Sequence, residues 1–430
     1  MDAATYQDYV NILHEELVPA MGCTEPIAIA YAAAVARQTL GRPAQRMEVE
    51  ASGNIIKNVK SVFVPNTGGL RGIPAAAAAG MAAGDPALEL EVLSSIGEGE
   101  QAAIRQYLAD TPIAVKLADS PFIFDIVIRA WAGEDSALVR IVNYHTNIVR
   151  VERNGQVLKE VEAQAAAEEG LTDKSVLTVE GILEFAREAA LADVEDAVGR
   201  QVRYNTAIAQ EGLRGDYGAN IGKVLLATYG DDVKIRAKAM AAAGSDARMN
   251  GCGLPVVIVS GSGNQGLTAS LPVVEYAKEL GADWETTLRA VLVSDLITIH
   301  LKAEIGRLSA YCGAVSAGCG SGAGIAWLYG REKEPQALLK DVSHTIVNAL
   351  AVDSGIVCDG AKASCAAKIA SAVDAGLLGF YMYQNGQQFR GGDGIISKGV
   401  EQTIRNIGLL ATQGMRETDR EILDIMTTRC

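Results

Sequence analysis

The chain has 430 residues and a formal net charge of −14; 49% of its residues are apolar, yet aromatics make up only 5%. That length allows two or three domains around a large core, which must be built from Ala, Val, Ile and Leu. The acidic balance excludes a surface made to neutralise phosphates or anionic lipid with Lys and Arg, so no nucleic-acid or membrane partner is expected.

The N-terminal MDAATYQDYVNILHEEL has neither the basic start nor the apolar stretch of a signal peptide. No uncharged apolar run approaches the roughly 20 residues of a membrane span. A cytoplasmic, reducing location is therefore expected, where seven cysteines suggest thiol chemistry or metal binding more than disulfides.

Residues 4–18 carry an amphipathic helical pattern, which MGCTEP (21–26) breaks sharply. PIAIAYAAAVARQTLG predicts a helix with Pro26 in its first turn and Gly41 at its end. From about 46 to 160 the texture turns β-rich. RMEVEAS, SVFVPN, PIAVKLA, FIFDIVIRAWA, SALVRIVNY and NIVRVERNGQVLKEVEA alternate in part, and RNGQ reads as a hairpin turn. Helical segments near 73–84 and 98–109 lie between the strands. The charged stretch over 163–175 reads as a linker or surface helix. From about 177 onward the pattern is mostly helical and rich in Ala and Gly, apart from LPVVIVSG (254–261), a strand or the buried start of a helix. The expected class is α+β, with a mixed domain over 1–175 and a helical domain over 176–430. The N-terminal helices are able to pack on the second domain. Ala/Gly-rich helices of this kind also suit a homodimer.

Three regions could carry chemistry. In MGCTEP, Cys23 precedes a helix opened by Thr24 and Pro26, where the positive end of the helix dipole would lower a thiol pKa. The same residue would equally serve as a small buried side chain in a tight turn. GSGNQG (261–266) matches G-x-G-x-x-G, but the segments after it read as consecutive helices, which removes the βαβ context of a dinucleotide site. A Gly-rich loop at a helix N-terminus still offers free N–H groups to an anion such as a carboxylate, with Ser262, Asn264, Gln265 and Thr268 nearby; it would also serve as a tight helix connection. Lastly, SAYCGAVSAGCGSGAG (309–324) holds Cys312 and Cys319, and VCDGAKASC (357–365) holds Cys358 and Cys365. This is neither a zinc pattern nor a ferredoxin run, and spacing alone favours buried structural cysteines. Of the four histidines, His145 in NYHTNI stands out for its polar neighbours after a strand.

Together, MGCTEPIAIAYAAA, ASGNIIKNV, VPNTGG, NYHTNI, the GSGNQG region, YCGAVSAGCGSGAGIAWL, DGAKASCAAKI and GGDGIISKGVEQTIRNIG resemble the L-cysteine desulfidase family, related to the bacterial iron–sulfur L-serine dehydratases. The resemblance covers nearly the whole chain. It implies a [4Fe–4S] lyase that converts L-cysteine and water to pyruvate, ammonia and hydrogen sulfide. It implies Cys312, Cys358 and Cys365 as cluster ligands, with Cys319 the alternative to Cys365. Three thiolates leave one iron open as a Lewis acid for the leaving sulfur. Cys23 is then the expected α-proton acceptor, and the 261–266 loop holds the substrate carboxylate. Thr24, Asn54, Asn66, Thr67 and His145 are expected to add polar substrate contacts. C-terminal Cys430 reads first as an exposed tail residue, and by analogy with the dehydratases it would cap the open iron in the absence of substrate. The rival readings are an L-serine dehydratase of the same chemistry and a non-catalytic metal or redox-sensing module.

Overall fold

The computed structural model describes residues 1–164 and 170–428. Asp2 caps helix α1 (Ala3–Glu16) by accepting from the N–H groups of Ala4 and Thr5. After the short strand β1 (Pro19–Met21), the chain turns at Gly22, in the left-handed region with φ +49°, and enters α2 (Thr24–Leu40). Gly41, at φ +79°, ends that helix. Then follow β2 (Arg46–Ala51), α3 (Gly53–Val59), α4 (Gly72–Ala83), α5 (Glu98–Asp110), β3 (Ile113–Leu117), β4 (Asp125–Ala132), β5 (Asp135–Val142), β6 (Ile148–Arg153) and β7 (Gln156–Glu160).

These strands form one sheet in the order β3-β2-β4-β5-β6-β7. β2 and β3 are parallel and every other pair is antiparallel. Met47, Val49, Ala51, Ile126, Ile128 and Ala130 face one side and are buried, with α2 packed against β4 and β5. The alternate positions carry charge: Glu48 pairs with Lys116 and Glu50 with Arg129, each at 2.6 Å. This is the period-two pattern of a sheet with one covered face. Helix α2 is buried nearly all round because α4 covers its other side. A Cβ on Gly80 would lie 2.0 Å from the Ala30 carbonyl oxygen, so only glycine permits that approach. One expected strand is absent. SVFVPN makes a single bridge, Phe63 to Arg71, and the preceding ASGNIIKNV folds as α3.

The second half contains α6 (Val179–Glu188), α7 (Leu191–Arg214), α8 (Ile221–Tyr229), α9 (Val233–Met249), β8 (Pro255–Val257), α10 (Gly263–Glu279), α11 (Trp284–Ile305), α12 (Gly313–Gly330), α13 (Pro335–Val352), α14 (Cys365–Gln384), α15 (Val400–Leu409) and α16 (Arg416–Thr428). The class is α+β. β8 pairs antiparallel with β1, and α1 packs on α7, so the first 21 residues bind to the helical half. The expected boundary at 175 adjoins residues 165–169, which lie outside the described residues, as does Cys430. Helices α12 and α14 cross closely: a Cβ on Gly318 would lie 2.2 Å from the Ala372 oxygen, and one on Gly376 would lie 2.1 Å from the Gly318 oxygen. α14 is long and apolar enough by length and composition to span a bilayer, which the sequence reading did not foresee. It carries Lys368 and Asp374, is more than half buried, and packs against α9, α12 and α13, as a core helix does.

Candidate active site

Four helices begin at one cavity of about 100 Å³. Cys23 is the N-cap of α2, Ser262 of α10 and Cys312 of α12, and Cys365 is the first residue of α14. A helix N-terminus carries a partial positive charge, so the cavity favours anionic groups, although at α14 the N–H groups of Cys365 and Ala366 already bond to the Lys362 and Ala363 oxygens. It adjoins a larger cleft of about 860 Å³, and Lys302, Arg307, Leu308 and Ser309 line both.

Cys312, Cys358 and Cys365 all line the small cavity. Two short segments are stapled together to achieve this: Cys312 N–H donates to the Ile356 oxygen at 2.9 Å, and Cys358 N–H to the Ala310 oxygen at 2.7 Å. The chain then turns at Gly360, φ +90°, where a Cβ would collide with the Lys57 backbone oxygen. That turn returns Cys365 to the same wall, its thiol 3.8 Å from the Gly360 oxygen. The Cys312 thiol donates toward Cys358. This bond, ahead of the positive charge of Lys57, holds the Cys358 thiol below its ordinary range despite burial. The same contact and burial raise Cys312, and burial raises Cys365. Cys319 lies elsewhere. It is buried inside α12, 3.7 Å from the Ile346 oxygen, and does not line the cavity.

Cys23 lines the cavity but is not the activated thiol expected from its place at a helix N-terminus. It is 3% exposed, and its pKa is pushed well up, first by burial and then by the charge of Glu25, against Arg248. Its Sγ donates to Glu25 Oε2 at 3.0 Å. Desolvation beside a carboxylate outweighs the helix dipole. Glu25 is the group the sequence reading missed. Besides Cys23, its carboxylate accepts from Asn58 Nδ2 at 2.9 Å, and the Thr24 hydroxyl lies 3.3 Å away with its one proton engaged by the Gly261 oxygen. Burial pushes its pKa up, but His145, the Cys23 bond and Arg248 outweigh that and hold it below the ordinary glutamate value. His145 is itself pushed down to about 4, by burial first, and is neutral at pH 7. At neutral pH the carboxylate therefore relies on its hydrogen bonds and on Arg248.

The remaining expected residues divide. Ser262, Asn264 and Gln265 line the cavity. Thr24 and His145 stand behind it: Thr24 Oγ1 donates to the Gly261 oxygen at 2.8 Å, and His145 packs on Gly261 and edge-on against Phe124. Both fix the 261–266 loop rather than line the cavity. Asn54, Asn66 and Thr67 are not part of the site. Asn54 Nδ2 donates to Asp419 Oδ2 at 2.7 Å, Asn66 at φ +56° donates to the Leu93 oxygen, and Thr67 Oγ1 closes a turn onto the Val64 oxygen. Polar residues in turn-rich motifs had suggested ligand contacts, but here they bond within the protein, Asn54 to a carboxylate and Asn66 and Thr67 to backbone oxygens. Asn58, four residues beyond Asn54 and one helical turn on, is the residue of ASGNIIKNV that reaches the cavity. The GSGNQG loop opens α10, and α11 follows directly, so no βαβ unit is present there.

The model of the serine dehydratase alpha chain family matches residues 87–424. A UPF0597 protein of Desulfitobacterium hafniense is 58% identical over 99% of this chain and 97% of its own length. UPF0597 proteins of Lachnoclostridium phytofermentans (51% identical; 98% of this chain, 99% of theirs) and Treponema denticola (45%; 99% of both) are similar throughout. The chain belongs to the serine dehydratase alpha chain family, a family of lyase-type enzymes with an iron–sulfur theme. The matched span holds the three cavity cysteines and the 261–266 loop, whereas Cys23, Glu25 and Asn58 precede it.

The residues present fit an iron–sulfur cluster in donor chemistry. Among the described residues, no three His, Cys, Asp or Glu side chains converge as a site for a metal ion. A cluster takes each thiolate on a different iron and needs no such convergence. Three cysteines on one cavity, one already drawn toward thiolate, beneath two helix N-termini, suit an anionic thiolate-bound group.

Proposed function

We propose that the protein catalyses β-elimination on L-cysteine, giving pyruvate, ammonia and hydrogen sulfide. The observation that carries this reading is the shared cavity of Cys312, Cys358 and Cys365 with the hydrogen-bonded Glu25–Cys23 pair. Cys312, Cys358 and Cys365 would hold a [4Fe–4S] cluster, which when bound supplies a Lewis-acidic site for the leaving group.

The chain's own residues handle the proton. The Cys23 thiol and the Glu25 carboxylate share one proton over 3.0 Å, and Asn58 fixes the carboxylate. The pair accepts the substrate α-proton, through Cys23 Sγ with transfer of the thiol proton to Glu25, or directly at Glu25. The C–H electrons become the Cα=Cβ bond, and the Cβ–S bond breaks to release hydrosulfide. The resulting 2-aminoacrylate tautomerises to the imine, and water hydrolyses it to pyruvate and ammonium. No net oxidation occurs. Ser262, Asn264 and Gln265 orient the substrate.

A second reading, elimination of water from L-serine, is favoured by the description of the matching family. Both are tested by anaerobic turnover of L-cysteine and L-serine side by side, measuring sulfide and pyruvate. Sulfide with a higher kcat/KM for cysteine supports the first reading, and pyruvate from serine at higher kcat/KM supports the second. Absence of both products from iron-loaded protein refutes both.

A further inference from the structure

Arg248 ends α9 and is 3% exposed. A buried guanidinium needs an acceptor, because desolvating an unpaired charge is among the most costly arrangements in a fold. Among the described residues, no carboxylate pairs with it. Its Nε has no hydrogen-bond partner, and Nη1 donates only to the soft Met249 sulfur at 3.4 Å. Glu25 and Cys23 feel its charge through space but do not bond to it. The guanidinium lines the cavity and packs on Gly263, the first residue of α10, where a Cβ would lie 2.3 Å from Nε. It is thus placed against the positive end of a helix of 17 residues, the wrong place for a cation unless an anion lies between or beside them. The same lining also holds an unpartnered acceptor. Asn58 must point Nδ2 at the Glu25 carboxylate, which can only accept, and this leaves Asn58 Oδ1 with no donor. A forked donor and a free acceptor in one small cavity match the carboxylate and ammonium of an α-amino acid.

We propose that Arg248, with the N–H groups at the start of α10, is the anchor for the substrate α-carboxylate, and that this cavity selects small α-amino acids by their free carboxylate. The inference rests on the amino-acid reading above. It adds a charged recognition residue that lies outside the expected glycine-rich loop. Gly263 is required because any side chain there would displace the guanidinium.

The test compares full-length, anaerobically prepared wild type, Arg248→Met and Arg248→Lys. The probes are L-alanine, which has the carboxylate but no leaving group, and L-alaninamide, which lacks the carboxylate. Binding is read by calorimetry and thermal shift, and KM by turnover of L-cysteine and L-serine. Wild type should prefer L-alanine. Arg248→Met should lose about 10- to 150-fold of L-alanine affinity, the range for a hydrogen bond to a charged group, and leave L-alaninamide unchanged. Arg248→Lys, which keeps the charge without the fork, should lose about tenfold. Equal preference for acid and amide in wild type, or L-alanine affinity unchanged in Arg248→Met, overturns the proposal. If neither amino acid is turned over while L-alanine binding still depends on Arg248, the reaction fails and the anchor stands. If turnover proceeds with KM unchanged in Arg248→Met, the reaction stands and the anchor fails.

Discussion

Glu25→Gln keeps the size of the side chain and removes its charge. The carboxylate accepts from two donors, Cys23 Sγ at one oxygen and Asn58 Nδ2 at the other. A glutamine has one acceptor oxygen, so it can satisfy one side of this set and must turn an NH₂ group toward the other. One charge-assisted bond, about 1.5–3 kcal/mol, is lost. Against that, a fully buried charge no longer has to be desolvated, so the net change in stability should stay within about 1–2 kcal/mol. Catalysis should respond far more. The Cys23 thiol, raised by burial and by Glu25, hydrogen-bonds to no other carboxylate among the described residues. Losing a positioned proton acceptor lowers kcat by about 100- to 10,000-fold, or about 2.7–5.4 kcal/mol. The assay is anaerobic sulfide and pyruvate release, with iron per chain measured on the same sample so that cluster loss is not mistaken for base loss. A Glu25→Gln protein with full iron and kcat within tenfold of wild type would show that Cys23 works alone and that the carboxylate only packs the turn.

Three further outcomes are expected. Cys365→Ala should lower the iron bound after anaerobic reconstitution, whereas Cys319→Ala should retain it and lose about 1 kcal/mol of stability; iron loss in Cys319→Ala alone would reverse the assignment. Asp419→Ala strips the buried Lys57 ammonium of its carboxylate, which should cost about 3 kcal/mol and expose α16 to limited proteolysis; unchanged melting and cleavage would refute that link. Asp246, 1% exposed, has its pKa raised by burial from 3.8 to about 6, so the fold prefers its neutral form. The stability this group contributes is complete below about pH 3.8 and is lost as pH rises through 6. Asp246→Asn should therefore be more stable than wild type at pH 8, by at most about 3 kcal/mol, and equal to it near pH 3.5; denaturant titrations at both values check the sign.

Much of the architecture follows from patterns confined to short windows. The alternation in RMEVEAS and FIFDIVIRAWA put β2 and β4 where they fold, and Asn154–Gly155, both at positive φ, make the β6–β7 turn that RNGQ announces. SVFVPN failed because its apolar residues, Val62 and Val64, are buried by tertiary packing, Val62 in a cluster with Cys23 and Met249, which alternation cannot report. The cavity is legible only in part for a related reason. Cys23, the 261–266 loop, Cys312, Cys358 and Cys365 stand out as residue types in glycine-rich settings. Glu25, Asn58 and Arg248 look like ordinary helix residues. Their roles come from what meets them: Glu25 from the thiol and amide that fold onto it, Arg248 from having no carboxylate bonded to it among the described residues. Asn54, Asn66 and Thr67 show the opposite case, in which polar side chains that other protein groups engage resemble ligand contacts.

The scarcity of aromatics has a consequence at the site. Bringing four helix N-termini onto a cavity of about 100 Å³ requires their axes to approach closely just behind it. Large side chains would hold those axes at the usual 8–10 Å or more. Small residues remove that limit: α12 and α14 touch backbone to backbone at Gly318 and Gly376, and α10 meets the Val257 carbonyl through Gly266. The Ala/Gly-rich texture, read from the sequence as a packing habit, is thus what concentrates positive helix ends around three thiols and a guanidinium. An empty cavity of that kind is electrostatically unfavourable, and anionic occupants, thiolate-bound cluster and substrate carboxylate alike, relieve it. Widening the crossing should therefore weaken both together. Gly318→Ala places a methyl against the Ala372 carbonyl, and it should lower retained iron and L-alanine affinity in the same variant without touching any cavity residue. Loss of one without the other would show that the helix ends act separately rather than as one positive pocket.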